Sequence, residues 1–135
     1  MVVTFETRNL PAEWVAEMQK GAAAWNRSAC LETKLVEACV SNTNCVTVTV
    51  ADGDEDGNFD AVESDGFTTG GHIDLLSTLT GGERTNVTVH EMGHAVGLAH
   101  RLTEGVLMNG DTYDDVYDPD QVDFQNLLVI YGSQE

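Results

Sequence analysis

The chain has 135 residues, the length of one domain, and a formal net charge of −17, with 23 acidic side chains against six Lys and Arg. A surface so short of cations has nothing to set against phosphates, which excludes nucleic acid and anionic membranes as partners. At 41% hydrophobic the chain can bury one core without staples, and no apolar run approaches membrane-spanning length. The acidity suits calcium, basic substrates, a salty habitat or plain solubility equally well.

Residues 2–7 alternate, with Val3 and Phe5 on one face, and read as a strand. No leader precedes this strand, so an exported protein is expected here as a mature form without signal peptide or pro-segment. Pro11 opens a helix in which Trp14, Met18, Ala22, Trp25 and Ala29 form one apolar stripe, read as core. Strands follow at 34–40 and at 45–51, where Val46, Val48 and Val50 alternate with threonine. An acidic loop from Asp52 to about Gly71 leads into a short strand at 72–76. A helix spans about 85–96. Asp118 and Pro119 then start a C-terminal helix that buries Val122, Leu127 and Val129 or Ile130. The fold class is therefore α+β, a mixed sheet with long helices packed on it.

Three cysteines leave at least one unpaired within the chain. Cys39 and Cys45 flank a turn-like segment and are a candidate disulfide. The alternative is that Cys30, Cys39 and Cys45 are small buried hydrophobes.

The stretch "VHEMGHAVGLAH", Val89 to His100, holds three of the four histidines. His90 and His94, four apart on a helix, share a face. Gly97 can end the helix with a positive φ and let His100 return to the same point. Three imidazoles leave a fourth position open on a tetrahedral zinc ion, the arrangement of a catalytic site. Glu91 is then the general base, assisting attack of a zinc-bound water on a peptide carbonyl and passing the proton to the departing amine. The full H-E-x-x-H-x-x-G-x-x-H is far more restrictive than HExxH alone. "GVLMNG" supplies a downstream methionine, Met108.

On these residues the chain resembles the metzincin zinc metalloproteases along nearly its whole length. The small size is similar to the snapalysin-like group, which has Asp as third ligand where this chain has His100. "GVLMNGDTY" and "QVDFQNLLVIYG" look more like the matrixins, which usually carry Ser where this chain has Arg101. The resemblance implies a twisted mixed sheet with two long helices, the second bearing the zinc motif, then a Met-turn at Met108 and a C-terminal helix. It divides the single catalytic domain into an upper part, 1–97, and a lower part, 98–135. It implies a secreted, monomeric endopeptidase acting on polypeptide. It also implies an edge strand above the cleft that pairs with the substrate, a role assigned to Gly71, His72, Ile73, Asp74 and Leu75 within "GGHIDLLS". The specificity pocket would lie between Val87–Glu91 and the segment after Met108. Tyr113 or Tyr117 would be the oxyanion donor, or would simply pack.

"DGDEDGNFDAVE", 52–63, matches a calcium-loop pattern through Asp52, Asp54, Asp56, Asn58, Asp60 and Glu63, with Gly57 at the turn. No helix pair flanks it, so the expectation is either a lone structural calcium loop or an acidic surface loop. His72 would meet substrate or a second zinc, or be a surface histidine. Two rivals to a general endopeptidase stand beside it. One is a narrow processing protease or toxin. The other is an inactive metal-binding module, against which the intact Glu91 argues.

Overall fold

The computed structural model describes residues 1–64 and 67–132. Its elements run β1 (Val2–Glu6), α1 (Ala12–Trp25), β2 (Glu32–Val36), β3 (Cys45–Ala51), β4 (Gly57–Ser64), β5 (Phe67–Leu76), α2 (Gly81–Ala95) and α3 (Gln121–Tyr131). The strands form one mixed sheet in the order β2-β1-β3-β5-β4. All neighbours are parallel except β4, which runs antiparallel to β5 at the sheet's edge.

The core lies between the sheet and the two long helices. Val3, Phe5, Val46, Val48, Ile73 and Leu75 point to it from alternate strand positions and are fully buried. From α1, Trp14, Met18, Ala22 and Trp25 complete it. Pro11 sits at the N-cap position with φ −58°, the angle its ring imposes. Ala29 lies beyond the end of α1 and is exposed. The two helices meet at Gly21, where any β-carbon would collide with Met92. The indole of Trp25 donates to the Val89 carbonyl at 3.0 Å, fixing α1 against the helix that carries the histidines.

The element boundaries differ from those the sequence predicts. The strand expected at 34–40 is Glu32–Val36, and the helix expected from 85 begins at Gly81. The acidic loop expected over 52–71 is mostly sheet, because β4 and the start of β5 occupy it. The strand at 72–76 is therefore the second half of a longer β5. It is an interior strand, hydrogen-bonded to β3 on one side and β4 on the other. Gly71, His72, Ile73, Asp74 and Leu75 cannot serve as a substrate-pairing edge, since both their backbone ladders are occupied. The edge strand next to β5 is β4, Gly57–Ser64, and the opposite edge is β2.

The C-terminal helix starts later than expected. Asp120, not Asp118, is the N-cap, in a reciprocal capping box with Asp123. Its buried side is Asp123, Leu127 and Tyr131, while Val122 and Val129 face solvent. Two polar anchors set this rotation. Asp123 accepts from Arg101, and the Tyr131 hydroxyl donates to the Val96 carbonyl. Cys39 and Cys45 are joined in a disulfide across the β2–β3 connection, and Cys30 is free and half-buried. Among the described residues no helix is long and apolar enough to cross a membrane.

Candidate metal centre

Helix α2 carries His90 and His94 one turn apart on its cleft-facing side. It ends in a Schellman turn. Gly97 adopts φ +109°, its N–H donates to the His94 carbonyl, and that of Leu98 donates to the Gly93 carbonyl, both at 3.0 Å. A side chain at 97 would be strained in this conformation. The turn sends the chain back beneath the helix and delivers His100 opposite the other two.

The three imidazoles converge through their Nε2 atoms. Nε2 of His90 lies 3.1 Å from that of His94 and 3.2 Å from that of His100. Ligands roughly 2.0–2.1 Å from a tetrahedral centre are about 3.3 Å apart. Both distances are close to that spacing, and the ligand atoms of all three rings lie within 4.8 Å of one another. Nδ1 of His90 donates to the Leu107 carbonyl at 2.6 Å, and Nδ1 of His94 to the Leu98 carbonyl at 2.7 Å. With Nδ1 protonated, Nε2 of both rings is an unprotonated lone-pair donor, as metal ligation needs. Burial pushes the His90 pKa down to about 4 and lowers that of His94, so both rings are neutral at pH 7. Among the described residues this is the one group of three or more metal-type side chains that converges.

Glu91 projects beside the cluster, with Oε2 3.9 Å from His90 Nε2. Burial, aided by the charge of Glu55, raises its pKa to about 7. The carboxyl is therefore poised to take up and release a proton near neutrality.

The histidines form the floor of a cleft of about 770 Å³. One wall is the edge strand β4, contributing Gly57, Phe59 and Ala61. The other is Gly97–His100 together with Gly110–Thr112. Val87 lines the cleft from α2, as does Asn86, which sequence reasoning missed. The Asn86 amide donates to the Val116 carbonyl at 2.6 Å and so ties α2 to the segment after Met108. The spacing of Asn86 from His90 puts it on the histidine face, a signal the helical period could have given. Met108 is fully buried beneath α2, and a β-carbon at Gly93 would lie 2.5 Å from its sulfur.

The remaining candidates are placed elsewhere. The 52–63 segment does not curl into a ring of oxygens, because β4 begins at Gly57 and pleats the second half of the motif. Asp52 accepts from Ser77, Asp56 accepts from Thr112 at 2.6 Å, and Asn58 donates to Asp60 at 3.1 Å. Asp54 and Glu63 line the cleft. Six ligands expected to converge are thus spread between a turn and a strand. His72 lies on the opposite face of the sheet from the helices, bridged to Thr47, Thr49 and Asp74. The hydroxyls of Tyr113 and Tyr117 donate to Asn109 Oδ1 and the Asp114 carbonyl. Neither tyrosine lines the cleft. No protein-family model matches the chain, and no curated protein matches it in sequence.

Proposed function

We propose that the protein is a zinc-dependent endopeptidase of the metzincin type. The observation that carries this reading is the convergence of three imidazoles beside a buried glutamate, on the floor of an open cleft. Imidazole nitrogen donors in a three-ligand set suit zinc, with a fourth position left for the reacting groups. A bound zinc ion would supply Lewis acidity toward a carbonyl oxygen and make water a better nucleophile at neutral pH.

The chain's own residues do the rest. His90, His94 and His100 hold the ion, and the Leu107 and Leu98 carbonyls hold two of their rings in register. Glu91 accepts a proton from the attacking water and returns it to the departing amine. Its burial, which raises the carboxyl pKa in the metal-free chain, keeps it from bulk water beside the ligand cluster. The free side of β4 lies along the cleft, where an extended peptide would add as a further strand, giving main-chain affinity with little sequence preference. Val87 and Gly110–Thr112 line the cleft, where a substrate side chain would be accommodated. The disulfide fits an oxidising compartment, consistent with a secreted enzyme.

Digestion of a random peptide library by the zinc-loaded protein tests the reading. Cleavage at many sequences is the expected result. Cleavage of a few would indicate a narrow processing enzyme. No cleavage by a protein that still binds zinc would make it a metal-binding module and overturn the proposal.

A further inference from the structure

We propose that Arg101 is the positioning residue for His100, and that its tether to the start of α3 sets the affinity of the three-histidine centre. The inference rests on the metal-site reading above. It begins from an asymmetry among the three rings. His90 and His94 stand on a helix, and each Nδ1 is held by a main-chain carbonyl. His100 stands on no helix and is exposed, and among the described residues nothing accepts from its Nδ1. Its ring lies beside those of His90 and His94 and next to Gly110, where a β-carbon would lie 3.4 Å from Nδ1. The position of this third donor must therefore come from its backbone.

Arg101, the next residue, is fixed on every side. Its N–H donates to the Met108 carbonyl at 2.8 Å, and its carbonyl accepts from the Asn109 side chain at 3.0 Å. A single guanidinium nitrogen donates to Asp120 at 2.7 Å and to Asp123 at 3.1 Å. Asp123 is fully buried, and the Arg101 side chain is 16% exposed. Screening is weak there, and a charge-assisted bond to a capped helix end is a stiff restraint. The same two carboxyls close the capping box that starts α3. The third histidine and the C-terminal helix are therefore one mechanical unit, with Arg101 as the link.

Zinc affinity, measured by competition with a chromophoric chelator, tests this without using activity. Arg101→Met should weaken zinc binding about 10-fold, the low end of what losing a group bonded directly to a ligand costs, because Arg101 acts on His100 through the backbone. Arg101→Lys, which keeps the charge, should recover part of the loss. In a His100→Ala background Arg101→Met should cost less than about twofold, because the ring it positions is gone. Arg101→Met leaves Asp123 buried without its partner. The companion Arg101→Met/Asp123→Asn removes that unpaired charge, keeps an acceptor for the Asp120 N–H, and should show the same loss of affinity. Unchanged affinity in both Met variants would overturn the proposal. So would an equal loss in the His100→Ala background, which would mean a general loosening of the fold. A wild-type protein that fails to bind zinc would overturn the metal-centre reading itself, and this inference with it.

Discussion

Gly57 of the edge strand and Glu91 of α2 are packed so closely that no side chain fits between them: a β-carbon at 57 would lie 2.8 Å from Glu91 Cγ. It would also lie 2.8 Å from Val87 Cγ1, and neither neighbour is free to retreat, since both are buried. The rim of the cleft thus rests directly on the carboxyl assigned as general base. Gly57→Ala should push Glu91 out of line and lower kcat by about tenfold or more, since small misplacements of a reacting group are costly. The overpacking should destabilise the fold by roughly 1–3 kcal/mol. Zinc affinity should stay within a few fold, because the histidine rings are not touched. Steady-state kinetics beside a zinc titration would check this, and a large loss of zinc affinity with kcat preserved would contradict it.

The burial of Glu91 gives the metal-free protein a distinctive pH dependence. Its folded pKa, about 7, is above the 4.5 of an unperturbed glutamate. The folded state holds this proton more tightly than the unfolded chain, so the associated stability is complete below pH 4.5 and is lost as pH rises toward 7. Glu91→Gln has no such proton. Relative to wild type, the metal-free variant should gain stability between pH 4.5 and pH 7.5, by up to roughly 3 kcal/mol. Urea denaturation of both proteins at the two pH values would measure the gain. A difference that does not change with pH would show that Glu91 is not desolvated as described.

Metal removal should separate the two metals that the sequence suggested. A zinc-selective chelator should lower Tm, because zinc bound at about a thousandfold above its Kd contributes about 4 kcal/mol by mass action. A calcium-selective chelator should leave Tm unchanged, because Asp52–Glu63 does not assemble a ligand ring in this fold. A drop in Tm on calcium removal alone would show that the segment closes around an ion after all.

How much of this was legible in the sequence depended on how local each signal was. His90, His94, Gly97 and His100 could be read together because the helical period and one glycine turn fix their convergence within eleven residues. Strand β3 was equally plain, since Val46, Val48 and Val50 alternate with threonine. Strand β4 was hidden because Gly57, Asn58 and Asp60 are poor strand formers, and their ladder partners on β5 supply what propensity does not. That one omission made β5 look like the edge and made the acidic stretch look like a loop. The buried face of α3 was misread for a related reason. Leu127 is buried as its apolarity suggested, but Val122, Val129 and Ile130 are exposed, because a charge pair from Arg101, 22 residues away from Asp123, and the Tyr131 hydroxyl draw Asp123 and Tyr131 inward instead. Arg101 itself carries no local signal at all. Its role exists only once the Met108 segment and α3 are in place.

On the proposed function, Glu91 transfers protons beside a zinc ion that His90, His94 and His100 would hold. Digestion of denatured casein by the zinc-loaded protein, beside Glu91→Ala prepared identically and with the zinc content of both measured, tests it most directly. Cleavage by the first, none by the second, and one zinc per chain in each is the expected result. Equal cleavage by both proteins, or full zinc occupancy with no cleavage by either, would contradict it.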